Sequence, residues 1–183
     1  MSGAKDPLDK SDQSFPPVLA PTLEVINKLV DEGLINGYVI GGSIAILFYS
    51  EAFATKDLDL FVQLPQETLL LDLGPIWRRL QELGHKPSGI GVIINGVPVE
   101  FLATDNSLVK ESFETATTIE IEGVKTKIFQ LEYAIAIKVQ TGRAKDWNHV
   151  EIALNSAEPD IKKLEIILQK FDLIEKWRRY LAR

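Results

Sequence analysis

The sequence predicts an α/β (α+β) domain: a mixed β-sheet flanked by helices, with a helical part at the C-terminal end. Three observations carry this. Tyr38-Val39-Ile40 is a short apolar run suited to a buried strand, followed by Gly41-Gly42 and by Ile44 to Tyr49, which reads as a helix. Asp57 to Val62 then returns to the two-residue alternation of a strand. Further along, Ile90 to Ile94 and Val97 to Leu102 flank Asn95-Gly96, the strongest short-range hairpin signal.

Taken in order, Met1 to Pro17 is rich in Asp, Ser, Lys and Pro without periodicity and reads as a flexible tail. Pro21 opens a helix on which Leu23, Ile26, Leu29 and Val30 recur at helical spacing until Gly33. In the strand–turn–helix–strand unit, Gly41 and Gly42 permit a tight turn and the close approach of a ligand to bare backbone. Ser43 can cap the following helix, whose first N–H groups favour an anion. A polar gap over Glu51 to Lys56 leads to the second strand, where Asp57, Asp59 and Phe61 share one face and Leu58, Leu60 and Val62 the other. The two aspartates lie roughly 6–7 Å apart at the backbone and repel unless a cation stands between them.

Gly74-Pro75 starts a helix with Ile76, Trp77 and Leu80 on its apolar side, ended by Gly84. On the second strand of the Asn95-Gly96 hairpin, Glu100 is a lone acid among apolar neighbours, and an unpartnered buried carboxylate is costly. Glu100 therefore faces water or a cation, and we place it beside the aspartate pair. Asn106 to Glu114 reads as a short helix, and Thr118 to Ile121 with Val124 to Phe129 as a second hairpin around Glu122-Gly123. Gln130 to Gln140 is a helix closed by Gly142, with Leu131, Ala134, Ile135 and Lys138 along one side. Asp146 to Leu154 forms another. Asp160 caps a last helix, on which Leu164, Ile167, Leu168, Phe171, Ile174 and Leu181 keep helical spacing; its length suits packing across the domain or support of a homo-oligomer. The implied sheet combines hairpins with one crossover through the Ile44–Tyr49 helix. The organisation expected is a tail over 1–17, a core over 18–129 and a helical part over 130–183 packed on it.

Bulk properties exclude several classes. With no cysteine, neither disulfides nor thiolate-held zinc are available. No apolar run approaches the roughly 20 residues of a membrane span, and no signal-peptide core is evident, so the expected location is cytoplasmic. A formal charge of −6 disfavours a long non-specific nucleic-acid groove. The basic residues Lys162, Lys163, Lys176, Arg178, Arg179 and Arg183 near the C-terminus read first as a solvated helix face.

Gly41-Gly42-Ser43 followed by Asp57-Leu58-Asp59-Leu60 resembles the signature of the DNA polymerase β superfamily of nucleotidyltransferases. The nearer resemblance is to small bacterial nucleotidyltransferase-like proteins that include abortive-infection toxins. Their later Lys and Arg-x-Lys-Asp run is matched by Lys138 and by Arg143-Ala144-Lys145-Asp146. The resemblance spans about Leu19 to Leu154 and implies a nucleotidyltransferase-like sheet with two acidic residues on one strand and a third on a later strand. It implies Mg2+ (or Mn2+) held by Asp57, Asp59 and Glu100, with a nucleoside triphosphate against Gly41, Gly42 and Ser43. Lys138 and Arg143 would neutralise phosphate, and Asp146 would orient Lys138 or a phosphate-facing Arg. The reaction implied is transfer of a nucleoside monophosphate to a hydroxyl on an RNA end such as tRNA, a protein or a small molecule. The toxin-type version adds an antitoxin partner protein.

The residues also permit other readings. Asp-x-Asp on a strand is often a solvated face, and Gly41-Gly42 alone is often only a turn. Lys138 either contacts ligand or snorkels, and Arg143 with Lys145-Asp146 equally makes surface pairs of little energy. His149 reads as a partly buried structural histidine. Trp77 and Trp147 read as core, although Trp147 beside the proposed site can stack on a base. A catalytically idle module that keeps the fold and binds nucleotide or protein is the alternative function.

Overall fold

The computed structural model describes residues 18–50, 57–65 and 72–182; the expected tail and the Glu51–Lys56 gap lie outside them. Seven strands form one mixed sheet in the order β3-β4-β5-β2-β1-β7-β6. Its members are β1 (Gly37–Ile40), β2 (Leu58–Gln63), β3 (Lys86–Ser88), β4 (Gly91–Ile94), β5 (Val97–Ala103), β6 (Thr117–Ile121) and β7 (Val124–Ile128). The helices are α1 (Leu19–Asp31), α2 (Gly42–Tyr49), α3 (Gly74–Glu82), α4 (Ser107–Glu114), α5 (Leu131–Thr141), α6 (Ala144–Ser156), α7 (Ile161–Lys170) and α8 (Ile174–Leu181).

The centre of the sheet fixes the polarity of the rest. β2 runs antiparallel to β1 and parallel to β5, and β1 runs parallel to β7. The expected crossover through α2 is thus corrected: after the short helix the chain returns antiparallel beside the strand it left. Parallel pairing arises instead between β2 and β5, whose connection through α3, β3 and β4 is long enough to bring the chain back to the same end. The inner face of β2 is sealed, with Leu58, Leu60 and Val62 essentially without solvent exposure. Arg79 on α3 holds Glu32, just beyond α1, through two hydrogen bonds of 2.7 Å.

Both hairpins form where turn chemistry places them. Asn95 and Gly96 have φ of 49° and 87°, and Glu122 and Gly123 have 48° and 85°. Paired positive φ is the turn whose twist matches the flanking strands. The edge strand β3 was not expected; Lys-Pro-Ser has neither apolar content nor alternation, and its Pro87 suits an edge.

The long last helix is corrected to two, α7 and α8. Asp172 adopts φ 57°, Leu173 N–H donates to Leu168 O at 2.7 Å, and Asp172 N–H donates to Gln169 O at 3.3 Å. This is a Schellman closure with Asp where Gly is usual, which Asp tolerates in the left-handed region. Apolar spacing persists through the break because both helices bury their faces against the same core, which includes Leu164, Leu168 and Trp177.

At the start of α7, Asp160 accepts the Lys163 N–H at 3.1 Å. Asp160→Ala should therefore lower stability by about 1 kcal/mol, read as a shift of the urea midpoint at unchanged slope.

Candidate active site

The parallel register sets Asp59 on β2 directly opposite Glu100 on β5, and Phe61 opposite Leu102 one step further along the same face. Asp57 stands exposed immediately before β2. Facing this line is the turn between β1 and α2. Gly41 N–H donates to Asp59 O at 2.9 Å, which locks the turn to the acidic strand. Gly41 occupies the N-cap position with no side chain to use, so Ser43 is not the cap expected from the sequence. Its side chain instead lies 3.2 Å from His149 Nδ1 on α6.

Both glycines are forced by packing. A Cβ on Gly42, whose φ is 57°, would sit 1.7 Å from Asp59 Oδ2, and one on Gly41 would sit 2.4 Å from the Phe61 ring. Phe61 and Phe129 rings pack with centroids 4.8 Å apart behind the turn. Gly42, Asp59, Phe61 and Leu102 form one side of a cleft whose other side is Ile137, Lys138 and Thr141 of α5, with Arg143 at its rim.

The cationic side is organised by Asp146, whose side chain is fully buried. It accepts Arg143 Nε at 2.7 Å and pairs with Lys138 Nζ at 3.3 Å, and it also accepts the Arg143 backbone N–H at 3.2 Å. Burial works to raise the Asp146 carboxyl, but the Arg143 and Lys138 charges overcome it and hold it below its ordinary value. Lys138 is itself 7% exposed, so it meets a buried countercharge rather than snorkelling. Asp146 thus orients both cations at once.

Electrostatics tie the two sides together. Burial raises the Asp59 carboxyl above its ordinary value; Lys138 and Lys145 oppose this, while Asp57 adds to it. Glu100 is also raised, by burial and then by Asp59 and Asp57, with Lys145 and Arg143 opposing. Lys145 therefore adds its charge to both acids, although the sequence reading named it only within the Arg143-Ala144-Lys145-Asp146 run and as one of a surface pair, with no role of its own. Its signal was the position one turn before His149 on α6. Trp147 stacks on Tyr180 at 4.4 Å rather than standing alone beside the site, and Trp77 packs edge-on against Phe101 at 5.6 Å.

Asp57, Asp59 and Glu100 offer only oxygen donors, and two of them are acids destabilised by each other and by burial; that set fits a hard divalent cation. In the arrangement seen, no group of three His, Asp or Glu side chains among the described residues stands in ligating geometry.

Residues 19–176 match the family described as nucleotidyl transferase of unknown function (DUF2204). The chain belongs to this family. Solved structures agree in fold. An antigenic nucleotidyltransferase-like protein from Paracoccidioides brasiliensis aligns with TM-score 0.56 at 17% identity, over 91% of this chain and 92% of that one. The antibiotic-resistance factor ANT(2'')-Ia aligns with TM-score 0.53 at 16% identity, over 92% and 96%. Its complex with adenylyl-2''-tobramycin gives TM-score 0.52 at 16% identity, over 88% and 98%. No curated protein matches the sequence significantly. The likeness supports the nucleotidyltransferase fold; closeness to toxin-type members is not among these findings. No described helix is long and apolar enough to cross a membrane.

The opposed pKa directions give opposite stability effects. Asp59 and Glu100, raised on folding, cost stability near neutral pH and regain it as pH falls through their folded values. Asp146, depressed, contributes above the unfolded carboxylate range and loses that contribution as pH falls through its folded value. In chelator-treated protein at pH 7, Asp59→Asn should raise stability by about 0.5–2 kcal/mol. Asp146→Asn should lower it by about 3–5 kcal/mol, because Lys138 is left buried without its charge partner; urea melts of both variants decide. Gly42→Ala should cost about 1–3 kcal/mol from its positive φ and its collision with Asp59, measured the same way.

Proposed function

We propose that the protein is a metal-dependent nucleotidyltransferase that moves a nucleoside monophosphate from a nucleoside triphosphate to a hydroxyl acceptor. The observation that supports this best is the placing of Asp59 opposite Glu100 on adjacent parallel strands, with the Gly41-Gly42 turn closed against Asp59. In this reading residues 18–129 form the catalytic core, and the helical part from residue 130 supplies Lys138, Arg143 and Asp146.

Asp57, Asp59 and Glu100 would hold magnesium or manganese ions, which when bound lower the pKa of the attacking hydroxyl and neutralise charge on the triphosphate. The turn at Gly41-Gly42-Ser43 admits the triphosphate to bare backbone and presents the first N–H groups of α2 to it. Lys138 and Arg143, held on the opposite wall by Asp146, balance its negative charge. Because their partner is buried and rigid, they are positioned before substrate arrives. The acceptor hydroxyl oxygen attacks the α-phosphorus as its proton passes to solvent, the bond from the α-phosphorus to the α–β bridging oxygen breaks, and pyrophosphate leaves.

The test is incubation of purified protein with each α-labelled nucleoside triphosphate, magnesium and cell extract. Label should enter an acceptor and be lost with chelator. Asp57→Ala and Asp59→Ala should each reduce it by at least about 10²-fold, with Glu100→Gln behaving alike. Separating labelled RNA, protein and small-molecule fractions identifies the acceptor; the adenylyl-2''-tobramycin complex of the structural neighbour is reason to include small-molecule hydroxyls. Labelled RNA or protein together with growth arrest on induction would give the toxin-type version and call for a neutralising partner. Nucleotide-dependent thermal stabilisation with no transfer would instead leave a binding module.

A further inference from the structure

His149 lies on α6, outside the acidic strands and outside the Lys138–Asp146–Arg143 cluster, yet its Nδ1 stands 3.2 Å from Ser43 Oγ in the first turn of α2. Ser43 is partly buried at the start of α2, and its hydroxyl meets the ring. Lys138, Lys145 and Arg143 direct positive charge at the imidazole and Asp146 negative charge; burial first, and then the cations, keep it below its ordinary value, so the ring is neutral at pH 7. A neutral imidazole has one N–H, and Nδ1 is either donor or acceptor.

That choice decides what Ser43 presents to a ligand. A hydroxyl has one proton. If Ser43 gives it to Nδ1, only lone pairs are left on the oxygen for a ligand seated on the glycine turn, and they repel a phosphate oxygen. If Nδ1–H donates to Ser43 Oγ, the serine proton is freed to point at the phosphate. We propose that His149 is a positioning residue, donating from Nδ1–H to Ser43 Oγ so that the serine hydroxyl donates to a phosphate oxygen of the bound triphosphate. This rests on the nucleotidyltransferase reading, and the tests separate the two.

The probe for binding is inorganic tripolyphosphate with magnesium, titrated calorimetrically into the full-length protein; the probe for catalysis is steady-state transfer with varied nucleoside triphosphate. His149→Ala should weaken tripolyphosphate binding and raise KM about three- to tenfold, because Ser43 keeps its proton but loses the neutral hydrogen bond that turns it toward the phosphate. Its kcat should stay within about twofold, because the contact is made equally in ground and transition states. His149→Asn should restore binding, since its amide N–H lies where Nδ1 was, whereas His149→Gln, whose amide reaches the other ring nitrogen's place, should not. His149→Asp, able only to accept, should bind worse than His149→Ala. In a Ser43→Ala background, removing His149 should add nothing.

Equal rescue by Asn and Gln, additive effects of Ser43→Ala and His149→Ala, or wild-type binding by His149→Ala would each overturn the proposal. Transfer that proceeds normally in wild type and in His149→Ala sinks this inference and leaves the enzymatic reading standing. Tripolyphosphate binding that follows the expected series without any transfer sinks catalysis and leaves the positioning role. A wild type that neither binds nor transfers overturns both.

Discussion

Parallel pairing between β2 and β5 is the constraint on which the rest depends. Side chains on neighbouring parallel strands project to the same face when their backbones are in register, so the pairing of residues 59 and 100 converts two acids far apart in sequence into neighbours. A slip of one residue would turn one of them into the core, where Leu58, Leu60 and Val62 leave no room for a carboxylate. The apolar face of β2 therefore specifies the acidic face. Because the acids are close, partly buried and mutually repulsive, the folded state carries strain at this point that only positive charge relieves.

The second wall answers that charge without being free to collapse onto it. Lys138 and Arg143 share one fully buried carboxylate, Asp146, and both line the same cleft as Asp59. A buried pair of this kind contributes little net stability; what it supplies is separation of charge, with acids on the sheet and cations on the helices. The cleft itself is lined mostly by apolar side chains, Phe61, Leu102, Phe129, Ala134 and Ile137, so Asp59, Lys138 and Arg143 are its charged groups.

Much of this was legible in the sequence because the features are local. The Gly41-Gly42 turn, the Asn95-Gly96 and Glu122-Gly123 hairpins and the alternation of Asp57 to Val62 each state their geometry within a few residues, and the structure has them. Glu100 was legible for a different reason: a lone acid in an apolar strand has few places to go. What escaped was long-range. Nothing within Tyr38 to Val62 says that β1 and β2 run antiparallel, since that depends on the whole sheet. The Ser43–His149 contact joins residues 106 apart, and the division of α7 from α8 hides in an Asp that does the work of a Gly. Lys145 was named in its run but given no role of its own, because its effect is electrostatic and needs the two acidic strands.

The stack of Trp147 on Tyr180, continued by Trp177 at 5.8 Å from the same tyrosine, joins α6 to α8 next in sequence to Asp146. Of the three tryptophans in the chain, this one adjoins the residue that anchors both cations. Its indole emission, quenched or shifted by any change in that stack, makes the protein its own optical reporter of movement in the helix that carries the cationic wall.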